Sequence, residues 1–343
     1  MKAIVLEKPN QFESKDVPMP SFGADDVLIR IKACDIYGSD IHGMDGSSRR
    51  RQPPLIMGHE ASGIIAEVGG NVTSWTKGDR VTFDSTVYCG ACPYCREGQV
   101  NICDNRRVLG VSCDDYHLDG AFAEYVAVPQ HILYRLPDTL TFVQGAMVEA
   151  VSIAVHAVNR TQVVPTDTAL VIGAGMIGLL VVQVLRAAKC AKIIAVDIEQ
   201  GRLEMAGRLG ADFKLLSNAC DVPAAVLKQT NNRGADIAFE AVGIEQTINM
   251  AIGSLRKGGS LTMIGNVISN VDMPLQQIVT RELTLYGSYA SAGEYPACLE
   301  MIADGSVDVD ALISATAPLA EGATWFKRLY EQEDNLMKVI LEP

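Results

Sequence analysis

Four cysteines, Cys89, Cys92, Cys95 and Cys103, crowd into 15 residues, while the other five of the nine are scattered. Thiolates at these gaps offer four soft donors to one Zn2+ in a closed tetrahedral shell. Such a shell leaves no position for a substrate, so the expected site is structural. Gly90 and Pro93 favour the bends that turn successive sulfurs inward, and the longer gap before Cys103 lets the loop return. The competing reading, four unligated surface thiols, would create an oxidation hazard. The uneven distribution also argues against a disulfide framework and for a reducing, cytoplasmic setting.

A second pattern is Gly173-Ala174-Gly175-Met176-Ile177-Gly178, which follows an apolar run at 169–172 and stands 19 residues before Asp197, the end of the next apolar run. Gly173 permits a tight turn, Gly175 lets the backbone approach a pyrophosphate, and Gly178 allows a helix to lie close on its strand. The amides around Met176 and Ile177 then face the anion at the helix N-terminus. A glycine turn without a ligand is the alternative for the motif alone; the strand, helix and acid around it argue for the dinucleotide. Asp197 would accept hydrogen bonds from the adenosine ribose and repel a 2′-phosphate, which favours NAD over NADP. Arg202 follows at helical spacing, either over the adenine or solvated.

These residues need a scaffold of two kinds. Segments 2–6, 26–34, 61–69, 79–83 and 122–136 are rich in Val, Ile and Phe and punctuated by Gly, Pro and Asp, which predicts a β-rich, barrel-like or folded-sheet domain. From about Val163 strands alternate with helices, giving six strands up to Ser288 and predicting a parallel sheet. Two helices at 295–303 and 322–331 follow, then a strand at 336–341 able to return to the first sheet. The expected fold class is α/β: a β-rich domain of residues 1–155 and 289–343 with a doubly wound parallel-sheet domain, 156–288, inserted in it.

With 48% hydrophobic and 20% charged residues over 343 positions, the chain can bury its own cores. Its 41 acidic residues outnumber 29 basic ones, so its field repels nucleic acid and anionic lipid, and neither is expected as a partner. The apolar start is too short for a secretion signal. The uncharged run 168–185 contains Gly173, Gly175 and Gly178, which suits a strand-turn-helix rather than a membrane span.

Taken together, the motifs resemble the zinc-dependent medium-chain alcohol and polyol dehydrogenases, of the kind that oxidise sorbitol, threonine or galactitol 1-phosphate. The resemblance covers nearly the whole chain. It rests on Gly38-Ser39-Asp40-Ile41-His42, Gly58-His59-Glu60-Ala61-Ser62-Gly63, the cysteine lobe with Gly98 and Asn101, Gly120-Ala121-Phe122-Ala123-Glu124-Tyr125, Val148-Glu149 and the glycine fingerprint. It implies a GroES-like catalytic domain, an inserted Rossmann domain, and a second, catalytic zinc in the cleft between them held by His59 and Glu149. It further implies that Ser39 takes the substrate proton and relays it through the cofactor ribose to His42, that Asp40 and Glu60 orient ligands, and that Arg281 reaches substrate hydroxyls. Relatives of this kind are commonly homodimers or homotetramers.

One departure touches the chemistry. The family's C-G-I-C-G-S-D reads Cys34-Asp35-Ile36-Tyr37-Gly38-Ser39-Asp40 here, so a phenol stands where the family has its thiolate ligand. A neutral phenol is a poor Zn2+ ligand. Three readings follow: His59 and Glu149 hold a metal with Glu60 or water completing the shell; Tyr37 itself ligates or acts as general base; or the site is altered and the chain binds NAD without turnover. The expected function is an NAD-dependent dehydrogenase interconverting a secondary hydroxyl of a small polyol, sugar or glycoside with a ketone; the alternative is a non-catalytic NAD-binding relative. Arg49, Arg50 and Arg51 read either as a solvated run or as contacts for an acidic sugar.

Overall fold

The structure is a computed structural model, and it describes residues 1–333 and 336–343. It contains two compact units. One comprises Met1–Glu149, Tyr295–Ala303 and Val309–Pro343; the other comprises Ala150–Glu294 and Asp304–Asp308. The divisions thus lie at 149/150 and 294/295, where the sequence pattern suggests 155/156 and 288/289. Among the described residues no helix is long and apolar enough to cross a membrane.

In the first unit the strand Asp26–Ile36 is the axis. Its alternating and then continuous apolar residues bury Val27, Ile29, Ile31 and Ile36 in the core. It pairs antiparallel with Ala61–Val68 along one edge, and with Tyr125–Pro129 and Lys338–Glu342 along the other. Arg80–Phe83, Leu133–Arg135 and Ile313–Pro318 complete a seven-stranded sheet. The final strand therefore returns to the first sheet, as its apolar run suggests. The segment 122–136, expected as one strand, is instead two: Tyr125–Pro129 and Leu133–Arg135, separated by a 3-10 turn at Gln130–Ile132. Pro129 has no N–H to continue the ladder.

Two helices bring chemistry to this sheet. Gly38–Gly43 starts directly after the axial strand, with Tyr37 as its N-cap in extended conformation and Asp40 in its first turn. Val148–Asn159 carries Glu149 in its first turn. It follows the short helix Phe142–Ala146, which begins with a reciprocal capping pair: Gln144 N–H donates to Thr141 Oγ1 at 3.1 Å and Thr141 N–H to Gln144 Oε1 at 3.0 Å.

The second unit is a six-stranded parallel sheet in the order Phe213–Leu216, Lys192–Asp197, Thr168–Ile172, Ala235–Glu240, Leu255–Met263, Thr284–Gly287. The order reverses beside Thr168–Ile172, the strand that leads into the glycine turn, which is where open parallel sheets bind dinucleotides. Ala235–Glu240 is buried at every residue, which explains why it reads as an apolar run without alternation.

Candidate metal centres and nucleotide site

The four lobe cysteines each direct a sulfur to one place, with all four Sγ atoms within 4.8 Å of one another. A tetrahedral Zn2+ shell with Zn–S bonds of about 2.3 Å needs sulfurs under about 4 Å apart, and Cys89 and Cys103 are at 3.5 Å. Gly90 at φ +69° and Gly98 at φ +79° supply left-handed turns, and Pro93 opens a one-turn helix. Backbone amides donate inward: Cys92 N–H to Cys89 Sγ at 3.4 Å, Cys95 N–H to Cys92 Sγ at 3.5 Å, Asn105 N–H to Cys103 Sγ at 3.3 Å. Such donors favour thiolates, and those of Ala91 and Cys92 bring the Cys89 thiol down to about 6. Burial and the neighbouring sulfurs push Cys95 up to about 12, so the four thiols do not all ionise without a cation. The donor set fits zinc.

A second cluster lies at the ends of the axial strand and its neighbour. His59 is buried just before Ala61–Val68; its Nδ1 faces Asp40 Oδ1 at 3.4 Å, and Arg51 Nη2 donates to the same oxygen at 3.1 Å. When the neutral ring keeps its proton on Nδ1, the side facing Asp40, the lone pair sits on Nε2, 3.5 Å from Ser39 Oγ. Glu60 places Oε2 at 2.5 Å from Lys338 Nζ, while its Oε1 is buried with no hydrogen-bond partner. Glu149 Oε1 accepts from Ser85 Oγ at 3.3 Å. One donor atom each from His59, Glu60 and Glu149 lies within 4.8 Å of the others.

The charges in this cluster leave a deficit. Among the described residues, Asp35, Asp40, Glu60 and Glu149 pair with two fixed cations, Arg51 and Lys338, and Asp84 adds to the negative charge felt by Glu149, so with neutral His59 and all these acids ionised negative charge is in excess. Burial disfavours that charge, and protons fill part of the gap. Burial pushes Glu149 up to about 8, although His59 pulls it down. Burial pulls His59 down, but the carboxylates of Asp40 and Glu149 outweigh it and raise the imidazole to about 9. Asp35 is driven well above the usual carboxylate range by burial and by the charge of Glu60. Asp40 stays ionised, near 2, because His59 and Arg51 outweigh its burial. An imidazole and two carboxylates with an unsatisfied oxygen and surplus negative charge fit a divalent metal with an open position.

Tyr37 borders this cluster without joining the donors. Its ring meets the His59 ring edge-on at 5.7 Å between centroids, and the Lys338 ammonium lies 4.7 Å from its centroid. Burial, then the charges of Glu60 and Glu149, raise its phenol well above the ordinary value. A phenol holding its proton this firmly is a weak base and a weak ligand.

In the second unit the three glycines differ in what requires them. At Gly173, φ is +90° and a Cβ would come 2.6 Å from Val242 Cγ2; at Gly178 it would come 1.7 Å from the Gly173 carbonyl oxygen. At Gly175 it would meet nothing within 4 Å. The fold thus demands the outer two, while the middle one leaves space above the N-terminus of Met176–Ala187, a helix with no side-chain cap. Uncapped amides facing open space are an anion cradle. Asp197, buried at the end of its strand, accepts from Ala174 N–H at 2.6 Å and Glu199 N–H at 2.9 Å, which ties the acid to the glycine turn.

Comparison with known proteins identifies the two kinds of domain. Residues 23–138 match the alcohol dehydrogenase GroES-like domain, and residues 177–304 match the zinc-binding dehydrogenase domain. Sorbitol dehydrogenase of Bacillus subtilis is 32% identical over 100% of this chain and 97% of its own length. The chain belongs to the zinc-binding alcohol dehydrogenase family. L-idonate 5-dehydrogenase of Vitis vinifera is 35% identical over 86% of this chain and 82% of its own. A crystal structure from Sinorhizobium meliloti 1021 bound to NADP superposes with a TM-score of 0.92 at 30% identity, covering 100% of this chain and 99% of that one. The fold is accordingly the GroES-like and Rossmann pair, and the molecule is an oxidoreductase of CH–OH groups.

Within this dehydrogenase the sequence-derived residues distribute unevenly. The structure brings together His59, Glu60 and Glu149, with Asp40 and Ser39 beside them; His42 is exposed on the same helix as Ser39. Arg202 is exposed on Gln200–Arg208. Arg281, expected at the substrate, donates through its guanidinium to the carbonyls of Ile252 and Leu255, closing the end of the helix Glu245–Ser254. That backbone contact accounts for the arginine without a ligand. Arg51 departs from the solvated run expected of it: it is buried and holds Asp40, while Arg49 and Arg50 are exposed. Asp35 lies just past the strand expected at 26–34 and Lys338 inside the one expected at 336–341, yet both border the cluster of His59, Glu60 and Glu149.

Proposed function

We propose that this dehydrogenase interconverts a secondary hydroxyl of a polyol or sugar with a ketone, using NAD and a zinc centre held by His59, Glu60 and Glu149. The convergence of those three side chains around the unpartnered Glu60 Oε1 supports this reading most directly. When bound, zinc supplies the Lewis acidity that favours an alkoxide, and the nicotinamide supplies the hydride acceptor. The chain's own residues prepare the site. Asp40, fixed by Arg51, holds the His59 ring with Nε2 toward the cluster. Ser39, exposed and 3.5 Å from that nitrogen, is placed to take the substrate proton, and exposed His42 can exchange it with solvent. Tyr37 remains neutral beside them and acts by bordering the substrate space.

A polyhydroxylated substrate is favoured because two similar proteins, the sorbitol and L-idonate dehydrogenases, carry such substrates in their names. NAD over NADP rests on Asp197, whose carboxylate at the glycine turn would repel a 2′-phosphate. Self-association through the edge strand Thr284–Gly287, as a homodimer or homotetramer in the cytoplasm, completes the proposal. The test is a panel of polyols, sugars and sugar acids with NAD and NADP, followed by absorbance of the reduced nicotinamide. Turnover of a polyol with NAD supports the reading; turnover of simple alcohols alone would replace it.

A further inference from the structure

We propose that Asp35 is a positioning residue for the metal centre: by sharing the Lys338 ammonium, it leaves Glu60 one carboxylate oxygen to offer a metal in place of the thiolate that Tyr37 does not supply. This rests on the reading of His59, Glu60 and Glu149 as a metal centre. The geometry is local to three neighbouring strand ends. Asp35 N–H donates to the Glu60 carbonyl at 3.0 Å, so the two acids emerge side by side from adjacent strands. Lys338 opens the strand on the opposite edge, in which Ile340 lies across from Asp35. Its Nζ then sits 2.8 Å from Asp35 Oδ1 and 2.5 Å from Glu60 Oε2.

Tyr37 follows Asp35 by two residues and is itself extended, φ −99° and ψ 157°, so the alternation of a strand puts both side chains on one side. The ring accordingly lies 4.7 Å from the same ammonium. An ammonium has three N–H donors. Glu60 accepts one of them, while the Asp35 carboxyl group stands at ion-pair distance and the Tyr37 ring face within cation–π reach of the same nitrogen, all of them buried or half-buried. Were Glu60 the sole carboxyl group beside it, Lys338 would draw its whole carboxylate. With Asp35 taking part of that attraction, Glu60 needs only Oε2 for the ion pair, and Oε1 stays bare among His59 and Glu149. The acid at position 35 and the phenol at position 37 thus form one arrangement: the second removes a ligand and the first releases a replacement.

The experiment is a Co2+ titration of purified chain whose four-cysteine site is filled with zinc, reading metal content and the visible d–d band. It compares wild type with Asp35→Asn, Glu60→Gln and the double variant. The expected result is a second metal equivalent in wild type, bound roughly 10- to 100-fold more weakly by Asp35→Asn with an altered band. The lobe metal should be unchanged, and Asp35→Asn should add little once Glu60→Gln is present. Equal affinity and an identical band in Asp35→Asn, or losses that add in full, would overturn the role of Asp35 alone. Absence of a second equivalent in wild type would instead overturn the metal-centre reading. Should Asp35→Asn lose the lobe metal, Asp35→Ser carries the same comparison.

Discussion

His59 decides how the proposed metal centre responds to pH. Its folded-state value is raised from 6.5 to about 9, so in the metal-free chain its ion pairs stabilise fully below about pH 6.5, and that contribution is lost as pH rises through 9. A metal needs the neutral ring and the ionised Glu149, both of which hold protons at neutrality. Metal uptake at pH 7 should therefore release about one or two protons, and apparent affinity should climb up to about pH 9. Calorimetry in buffers of different ionisation enthalpy checks this; a buffer-independent heat would contradict it. Tyr37→Cys should raise metal affinity at least about tenfold, because a thiolate replaces a phenol that keeps its proton. Unchanged affinity would mean that position 37 does not face the metal. Sequence showed His59 and Glu149 through their motifs, and the cysteine lobe through its spacing. It hid Asp35 and Lys338, whose side chains meet across 303 positions, and it hid Arg51 inside a run of three arginines that looked solvated.

Elements carry the nucleotide site, and the glycine turn separates fold from ligand. Gly178→Ala forces a Cβ into the Gly173 carbonyl, and overpacking of this kind costs about 1–3 kcal/mol or more. Gly175→Val enters open space, so stability should change by less than about 1 kcal/mol while NAD affinity falls at least tenfold. Denaturant melts and binding titrations of the two variants test the contrast; similar melts would remove it. The alternation of strand and helix was legible here because most strands hold a short apolar run, as at 169–172 and 193–196, followed by a turn signal and a helical stretch. The division of 122–136 was less so, since Pro129 only acts as a break where its missing N–H meets a ladder. Asp197 was readable by its distance from the glycines, but the bond from the Ala174 amide that ties it to the turn was not.

At the scale of the molecule, the two units should respond to different ligands. The lobe and the catalytic cluster both lie in Met1–Glu149, and the glycine turn lies in Ala150–Glu294. Chelation should lower the thermal transition of the first unit, and NAD should raise that of the second, by about 2.7 kcal/mol at a hundredfold excess over Kd. Calorimetric scans with each ligand alone test this; equal shifts of every transition by either ligand would contradict it. Composition sets the net charge, −12, and with it the expectation that polyanions are repelled, while saying nothing of which substrate enters.

The reaction we propose takes place at a metal seated on His59, Glu60 and Glu149. Metal analysis of freshly purified wild type beside Glu149→Ala tests it most directly. Wild type should hold about two zinc ions per chain and the variant about one, in the cysteine lobe; a single ion in wild type, or an undiminished pair in the variant, would rule out this seat for the metal.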